Sequence, residues 1–179
     1  VHLHRAQWSG KLPARAQVVF ASNPCKCGMA NAVDGMCDCV RGAARQYQAR
    51  ISGPLRSRID ITVKLDSHIS DVSTDPVRED SLIVRNRVIA ARQAATQRMA
   101  SLGISSNAHI SPANLEGPLA LPLAARTLIR KAGLPGMRAQ HRAMRVAWTV
   151  ADLRGGSEPD RADAERALAL VAPAEGFAV

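Results

Sequence analysis

Four cysteines, and no others, stand in two Cys-x-Cys pairs, Cys25 with Cys27 and Cys37 with Cys39, within a stretch that also holds Pro24, Gly28 and Gly35. Two close pairs joined by a short connection can aim four thiolates at one point. Residues 23–40 are therefore expected to form a folded-back loop rather than a helix or a strand. Thiolates bind zinc tetrahedrally, and zinc or another thiophilic metal held by Cys25, Cys27, Cys37 and Cys39 is the favoured reading. A redox pair is the lesser one. Four small buried apolar side chains would fit poorly in a loop rich in Gly, Lys and Asp.

The loop follows an apolar run, Val18-Val19-Phe20-Ala21, that ends in Ser22-Asn23-Pro24. Residues 17–22 read as a short buried strand that delivers the polar Asn23 to a site at its end. Residues 41–51 read as a helix. Ser52-Gly53-Pro54 breaks it and starts a short turn, with Ser52 suited to an N-cap and Pro54 to the first helical position. Residues 59–65 alternate apolar and polar side chains and predict a second strand, which places Arg58 at an element edge. A surface Arg58 paired with Asp60 would explain the same residues.

Further on, a long helix is predicted over residues 76–100, capped by Asp75, with Val84, Val88, Ala91 and Ala95 as its apolar stripe and Arg85, Arg92 and Arg98 facing elsewhere. Residues 103–118 are loop-rich, with a short helix at 112–115. Helices over 119–132, 137–153 and 159–171 follow, punctuated by Gly133, Gly136, Gly155 and Gly156. The expected fold class is α/β: a strand-containing part over residues 1–110, then a helical bundle over residues 111–179.

Charge narrows the choice of partners. Lys+Arg 24 against Asp+Glu 15 gives +9, and most of the cations are Arg, which favours planar bidentate partners such as phosphates. Nucleic acid is one such partner. A GC-rich genome that writes Arg where others write Lys explains the excess equally well. Arg138, Arg142 and Arg145 share one helical face, and Arg138 falls in a first turn, where the helix dipole disfavours a cation. That placement suits a ligand-binding role; a solvated basic face is the plain alternative. No apolar stretch approaches the ~20 residues that span a bilayer, and the first residues lack the apolar segment of a secretory signal. The expectation is a cytoplasmic protein with no membrane partner. The sequence also holds no Gly-x-x-x-x-Gly-Lys-Ser/Thr and no apolar run ending in Asp-Glu, so it has neither phosphate cradle nor magnesium-binding acid of its own.

Taken in order, several segments resemble the C-terminal part of the Mg-chelatase-related AAA+ ATPases, ComM-like (YifB-like) branch. They are Ala21-Ser22-Asn23-Pro24-Cys25-Lys26-Cys27-Gly28, Cys37-Asp38-Cys39, Ser52-Gly53-Pro54-Leu55 with Arg58-Ile59-Asp60, and Arg145 to Leu153. The resemblance implies a partial P-loop ATPase core, an αβα arrangement, followed by a helical lid. It implies that Asn23 is the sensor-1 residue, Arg58 an arginine finger reaching a neighbouring subunit, and Arg138 the sensor-2 residue contacting nucleotide. It further implies ATP with magnesium, a ring-shaped oligomer and action on branched DNA. Two other readings stand beside it: a zinc-stabilised basic nucleic-acid-binding module, and the ATPase subunit of a tetrapyrrole magnesium chelatase. The four-cysteine loop favours the ComM-like branch over the last.

Overall fold

The computed structural model of the protein describes residues 1–13, 16–30, 37–65 and 79–171. Most of the regular structure is helical, with one small sheet. The chain opens on an antiparallel hairpin, β1 (His2–Arg5) and β2 (Trp8–Lys11), joined by the two-residue turn Ala6-Gln7. Opposite residues are His2 with Lys11, Leu3 with Gly10, His4 with Ser9, and Arg5 with Trp8. Val1 and Leu12 close the open end through two bonds, Val1 N to Leu12 O at 2.8 Å and Leu12 N to Val1 O at 2.9 Å. Glycine at position 10 leaves room for the Trp8 ring, which would lie 2.3 Å from a Cβ there.

Neither predicted strand forms. Residues 17–22 and 59–65 carry no ladder, and Val18, Val19, Phe20, Ile61, Val63 and Leu65 are all exposed. An apolar run becomes a buried strand only when neighbours pair with its backbone and cover its faces. The described residues offer neither run a partner strand, so no αβα layer is present among them. Of the expected fold, the described residues therefore show the helical part, with one two-stranded sheet before it.

Two short helices lie between these runs: α1 (Ala43–Gln48) and α2 (Gly53–Arg56). The Ser52 side chain accepts from Leu55 N and Pro54 sits in the first turn of α2, the cap its residue types predict.

The long helix α3 (Ser81–Met99) begins later than expected, with Asp80 as its cap accepting from Leu82 N. Asp75 and residues 76–78 lie outside the described residues. Only the C-terminal half of the predicted stripe is covered: Ala91 and Ala95 are buried, as is Met99 beyond them, while Val84 is exposed. Arg98 turns inward instead of outward, for a reason given below. After α4 (Pro112–Glu116) come α5 (Leu123–Lys131), α6 (Gly136–Arg154) and α7 (Arg161–Val171). The core is the space between α3, α5, α6 and α7, filled by Met99, Ile110, Leu115, Leu119, Ile129, Ala143, Met144, Ala147, Ala164 and Val171. Trp148 is the one aromatic among these buried residues, and its Nε1 donates to Leu119 O at 3.0 Å. Small Ala side chains on α6 and α7 let the two backbones approach closely, so few large residues suffice.

Candidate functional site: an arginine cleft and a four-thiol cluster

The first turns of α6 and the loop after α2 form the two walls of an open cleft of about 520 Å³. Arg138, His141, Arg142 and Arg145 enter it from α6, Arg58 and Asp60 from the loop. Spacing of three and four residues puts Arg138, Arg142 and Arg145 on one face, as the sequence predicts, and His141 joins them. Four guanidinium groups thus face a single carboxylate, a balance that attracts a multiply charged anion.

The arginines are not equivalent. Arg58 is exposed and its Nη1 donates to Pro54 O at 2.7 Å. Arg138 is exposed, and no hydrogen bond or ion pair engages it among the described residues. Arg145 donates from Nε to Ile110 O at 2.8 Å. Arg142 is half-buried and donates from Nη1 to Ser57 O at 3.0 Å and to Ile59 O at 2.8 Å. Burial lowers the Arg142 guanidinium below its ordinary value, with the Asp60 charge opposing. His141 Nε2 lies 3.5 Å from Glu116, which also accepts from Arg130 at 2.6 Å.

Toward its C-terminal end, α6 is anchored by a largely buried polar network. Arg98 reaches from α3 and donates to both oxygens of Asp152, at 2.5 and 3.0 Å. Asn107 completes the set, accepting from Arg98 at 2.9 Å and donating to Asp152 at 2.8 Å and Thr149 at 3.2 Å. The Arg98 guanidinium also lies 4.1 Å from the Trp148 ring centroid. This network holds Arg98 in the interior. Its one sequence signal is an acid, Asp152, in an otherwise apolar helical stripe.

The four cysteine sulfurs converge, all within 4.8 Å of one another. Sulfur separations are 3.3 Å (Cys25–Cys27), 3.8 Å (Cys25–Cys37), and 3.5 Å for Cys27 to both Cys37 and Cys39. A tetrahedral zinc with bonds of ~2.3 Å needs sulfurs about 3.8 Å apart. The donor set fits such an ion with little contraction or spread. Backbone hydrogen bonding from Met29, then the Cys25 and Cys39 thiols, draws the Cys27 thiol down to about 6. For Cys37 a backbone bond from Cys39 favours the thiolate, but the Cys27 sulfur and burial outweigh it and push the group up to about 12. Cys39 is raised in the same way: the Cys27 sulfur and burial outweigh a backbone bond from Cys27. Cys27 is also the exposed thiol of the four. A bound zinc would act here as a structural clamp, with all four positions taken by protein.

Asn23 sits at the entrance to this cluster, exposed, and is not part of the arginine cleft. Its amide stands over Gly28, where a Cβ would lie 3.8 Å from Nδ2. Pro24 O accepts from Gln48 Nε2 at 2.9 Å, which ties the cysteine loop to α1. Of the predicted site residues, then, Arg58 and Arg138 come together, the four cysteines come together, and Asn23 belongs with the cysteines. The roles of Arg142, Arg145 and His141 in shaping the cleft escape sequence reasoning beyond their shared face.

Residues 1–72 match the family described as magnesium chelatase, subunit ChlI, and residues 78–170 match its C-terminal region. The second match alone covers more than half of the chain. The chain belongs to the magnesium chelatase ChlI family. Within that family's wider circle, it is 35% identical over 173 residues to an uncharacterized protein of Mycobacterium tuberculosis (strain H37Rv), covering 95% of this chain and 34% of the relative. A Mycobacterium bovis protein matches to the same extent. The competence protein ComM of Haemophilus influenzae is 28% identical over 162 residues, 86% of this chain and 30% of ComM. The chain thus spans about a third of the length of the curated relatives it matches. Among the described residues, no helix is long and apolar enough to cross a membrane.

Proposed function

We propose that this chain supplies the C-terminal portion of a ComM-like, Mg-chelatase-type AAA+ ATPase, in which Arg58 and Arg138 bind the phosphates of one nucleotide. The observation that carries this reading is the cleft: Arg58 and Arg138 line it together, with two further arginines behind them and one carboxylate in view. A triphosphate entering there meets Arg58 as the arginine finger and Arg138 as the sensor-2 residue, both neutralising charge that grows on the phosphate oxygens during transfer. Asn23, which stands outside this cleft, is the sensor-1 residue and orients the attacking water only once the rest of the ATPase core and a neighbouring subunit complete the site. This chain contributes a partial AAA+ core and a helical lid to a ring of subunits in the cytoplasm, and ATP and magnesium are held by a P-loop outside this sequence. Branched DNA is the substrate of the assembled motor. Zinc on Cys25, Cys27, Cys37 and Cys39 fixes the loop that carries Asn23.

The test is binding of a fluorescent, non-hydrolysable ATP analogue to the purified chain, read by anisotropy at low salt. Weak binding is expected, lowered about tenfold by Arg58→Ala and again by Arg138→Ala. Arg166→Ala, on an exposed face of α7, is the control and should leave it unchanged. Binding indifferent to both cleft substitutions, or brisk ATP turnover by the chain alone, would overturn the reading.

The thiol cluster and the +9 charge favour a second reading, a zinc-stabilised nucleic-acid-binding module. It requires salt-sensitive DNA binding that collapses when Cys25 and Cys27 both become Ser. A role as a tetrapyrrole magnesium-chelatase ATPase subunit ranks third.

A further inference from the structure

Arg142 donates from one nitrogen, Nη1, to Ser57 O at 3.0 Å and to Ile59 O at 2.8 Å. Those are the carbonyls on either side of Arg58. The donor comes from α6, one turn beyond Arg138, while the acceptors belong to a segment with no regular structure. Within this segment, Thr62 N is bonded to Leu170 O at 2.9 Å. Arg142 is therefore placed to fix where Arg58 stands relative to Arg138. We infer that Arg142 is a positioning residue, a clamp that docks the Arg58-bearing loop onto the Arg138 helix so that both arginines serve one phosphate chain. This inference rests on the nucleotide reading given above.

Three features separate a clamp from a fourth phosphate ligand. Arg142 is half-buried, whereas Arg58 and Arg138 are exposed. Its Nη1 is committed to backbone carbonyls. Its Nε is buried without a partner, so the inner side of the guanidinium is enclosed while the residue still lines the cleft. A consequence is that α6 and the Arg58 loop move as one piece: a shift of the helix carries both cationic groups together.

A double-mutant cycle separates the two roles. Arg142→Met should weaken binding of the fluorescent ATP analogue about tenfold, and adding Arg58→Ala should weaken it little further, because Arg58 has already lost its place. Arg142→Met combined with Arg138→Ala should be additive, about a hundredfold in all, since Arg138 is held by its own helix. Additivity with Arg58→Ala would show that Arg142 acts through its charge alone and would sink the clamp. Amide hydrogen exchange supplies a readout independent of nucleotide. In Arg142→Met the Ile59 and Thr62 amides should exchange faster, while α7 amides keep their protection and so report an intact fold. If the wild-type chain binds no analogue, the nucleotide reading fails, and exchange alone decides the clamp: unchanged rates at Ile59 and Thr62 overturn it.

Discussion

Gly28 shows how a single backbone angle shapes the thiol cluster. Its φ is +85°, and its N–H closes a turn on Cys25 O at 3.1 Å. A side chain there would meet little steric obstruction, since the nearest Asn23 atom is 3.8 Å away. The penalty is conformational, about 1–2 kcal/mol for an L-residue held in the left-handed region. Gly28→Ala should therefore weaken cobalt or zinc binding about tenfold in a competition titration with a chelator, leaving the sulfur ligand set unchanged. Asp152 is a more severe case. It is 5% exposed and neutralises Arg98, which has no other acid beside it among the described residues. Asp152→Ala strands a buried guanidinium and should cost about 3–5 kcal/mol in urea unfolding of the helices. Asp152→Asn keeps the shape but not the charge, and should cost less.

At the scale of elements, α7 carries its own acid sensitivity. Asp160 and Asp163 form a reciprocal cap: Asp163 N donates to Asp160 Oδ1 at 2.9 Å, and Asp160 N donates to Asp163 Oδ2 at 3.0 Å. Arg154, from the end of α6, adds a 2.7 Å bond to Asp163. Burial acts to raise the Asp163 carboxyl, but the Arg154 and Asp160 hydrogen bonds win and leave it below the ordinary carboxylate value. A carboxylate lowered on folding stabilises the native state at pH above its unfolded value, and that stability is lost as pH falls through the folded value. Melting temperature should thus fall on acidification below about pH 4, and Asp163→Asn should flatten that limb while costing about 1–2 kcal/mol at neutral pH. Helices such as α2, α4 and α7 were legible because their signals are local: a Ser or Asp cap, a Pro in the first turn, a Gly stop. The hairpin was not, because His-Leu-His-Arg and Trp-Ser-Gly-Lys are too polar for a strand pattern and Ala6-Gln7 is no recognised turn pair. Residues 17–22 misled for the opposite reason, since apolar composition reports a capacity for burial, not the presence of a partner. In the candidate site, the convergence of the cysteines was legible from their spacing, and so was the shared face of Arg138, Arg142 and Arg145. The Arg142 clamp was not, as its acceptors are backbone carbonyls 83 and 85 residues away.

Across the whole molecule, packing is divided unevenly. Among the described residues up to 65, Cys25 alone is buried, whereas α3 to α7 share a continuous core. Among the described residues the first part has no apolar core, so the thiol cluster is the main contact holding residues 23–30 and 37–39 together. Stripping metal with a chelator should raise amide exchange in residues 23–30 and 43–56 while the helices keep their unfolding midpoint; a simultaneous loss of both would contradict this division. Val19, 83% exposed, lies in the apolar run 18–21, which carries no ladder among the described residues. Such edges associate. Light scattering should show concentration-dependent self-association, reduced by Val19→Lys with Phe20→Ser at no change in helical content.

The two tryptophans fall on opposite sides of that division. Trp8 is 51% exposed on the hairpin, and Trp148 is 5% exposed beneath the Arg98 guanidinium. The protein therefore carries two optical reporters of different colour: a solvent-relaxed, red-shifted emission open to iodide quenching, and a blue-shifted one shielded from it. Following the two bands separately during unfolding would record the order in which the hairpin and the helical core come apart, with no label attached.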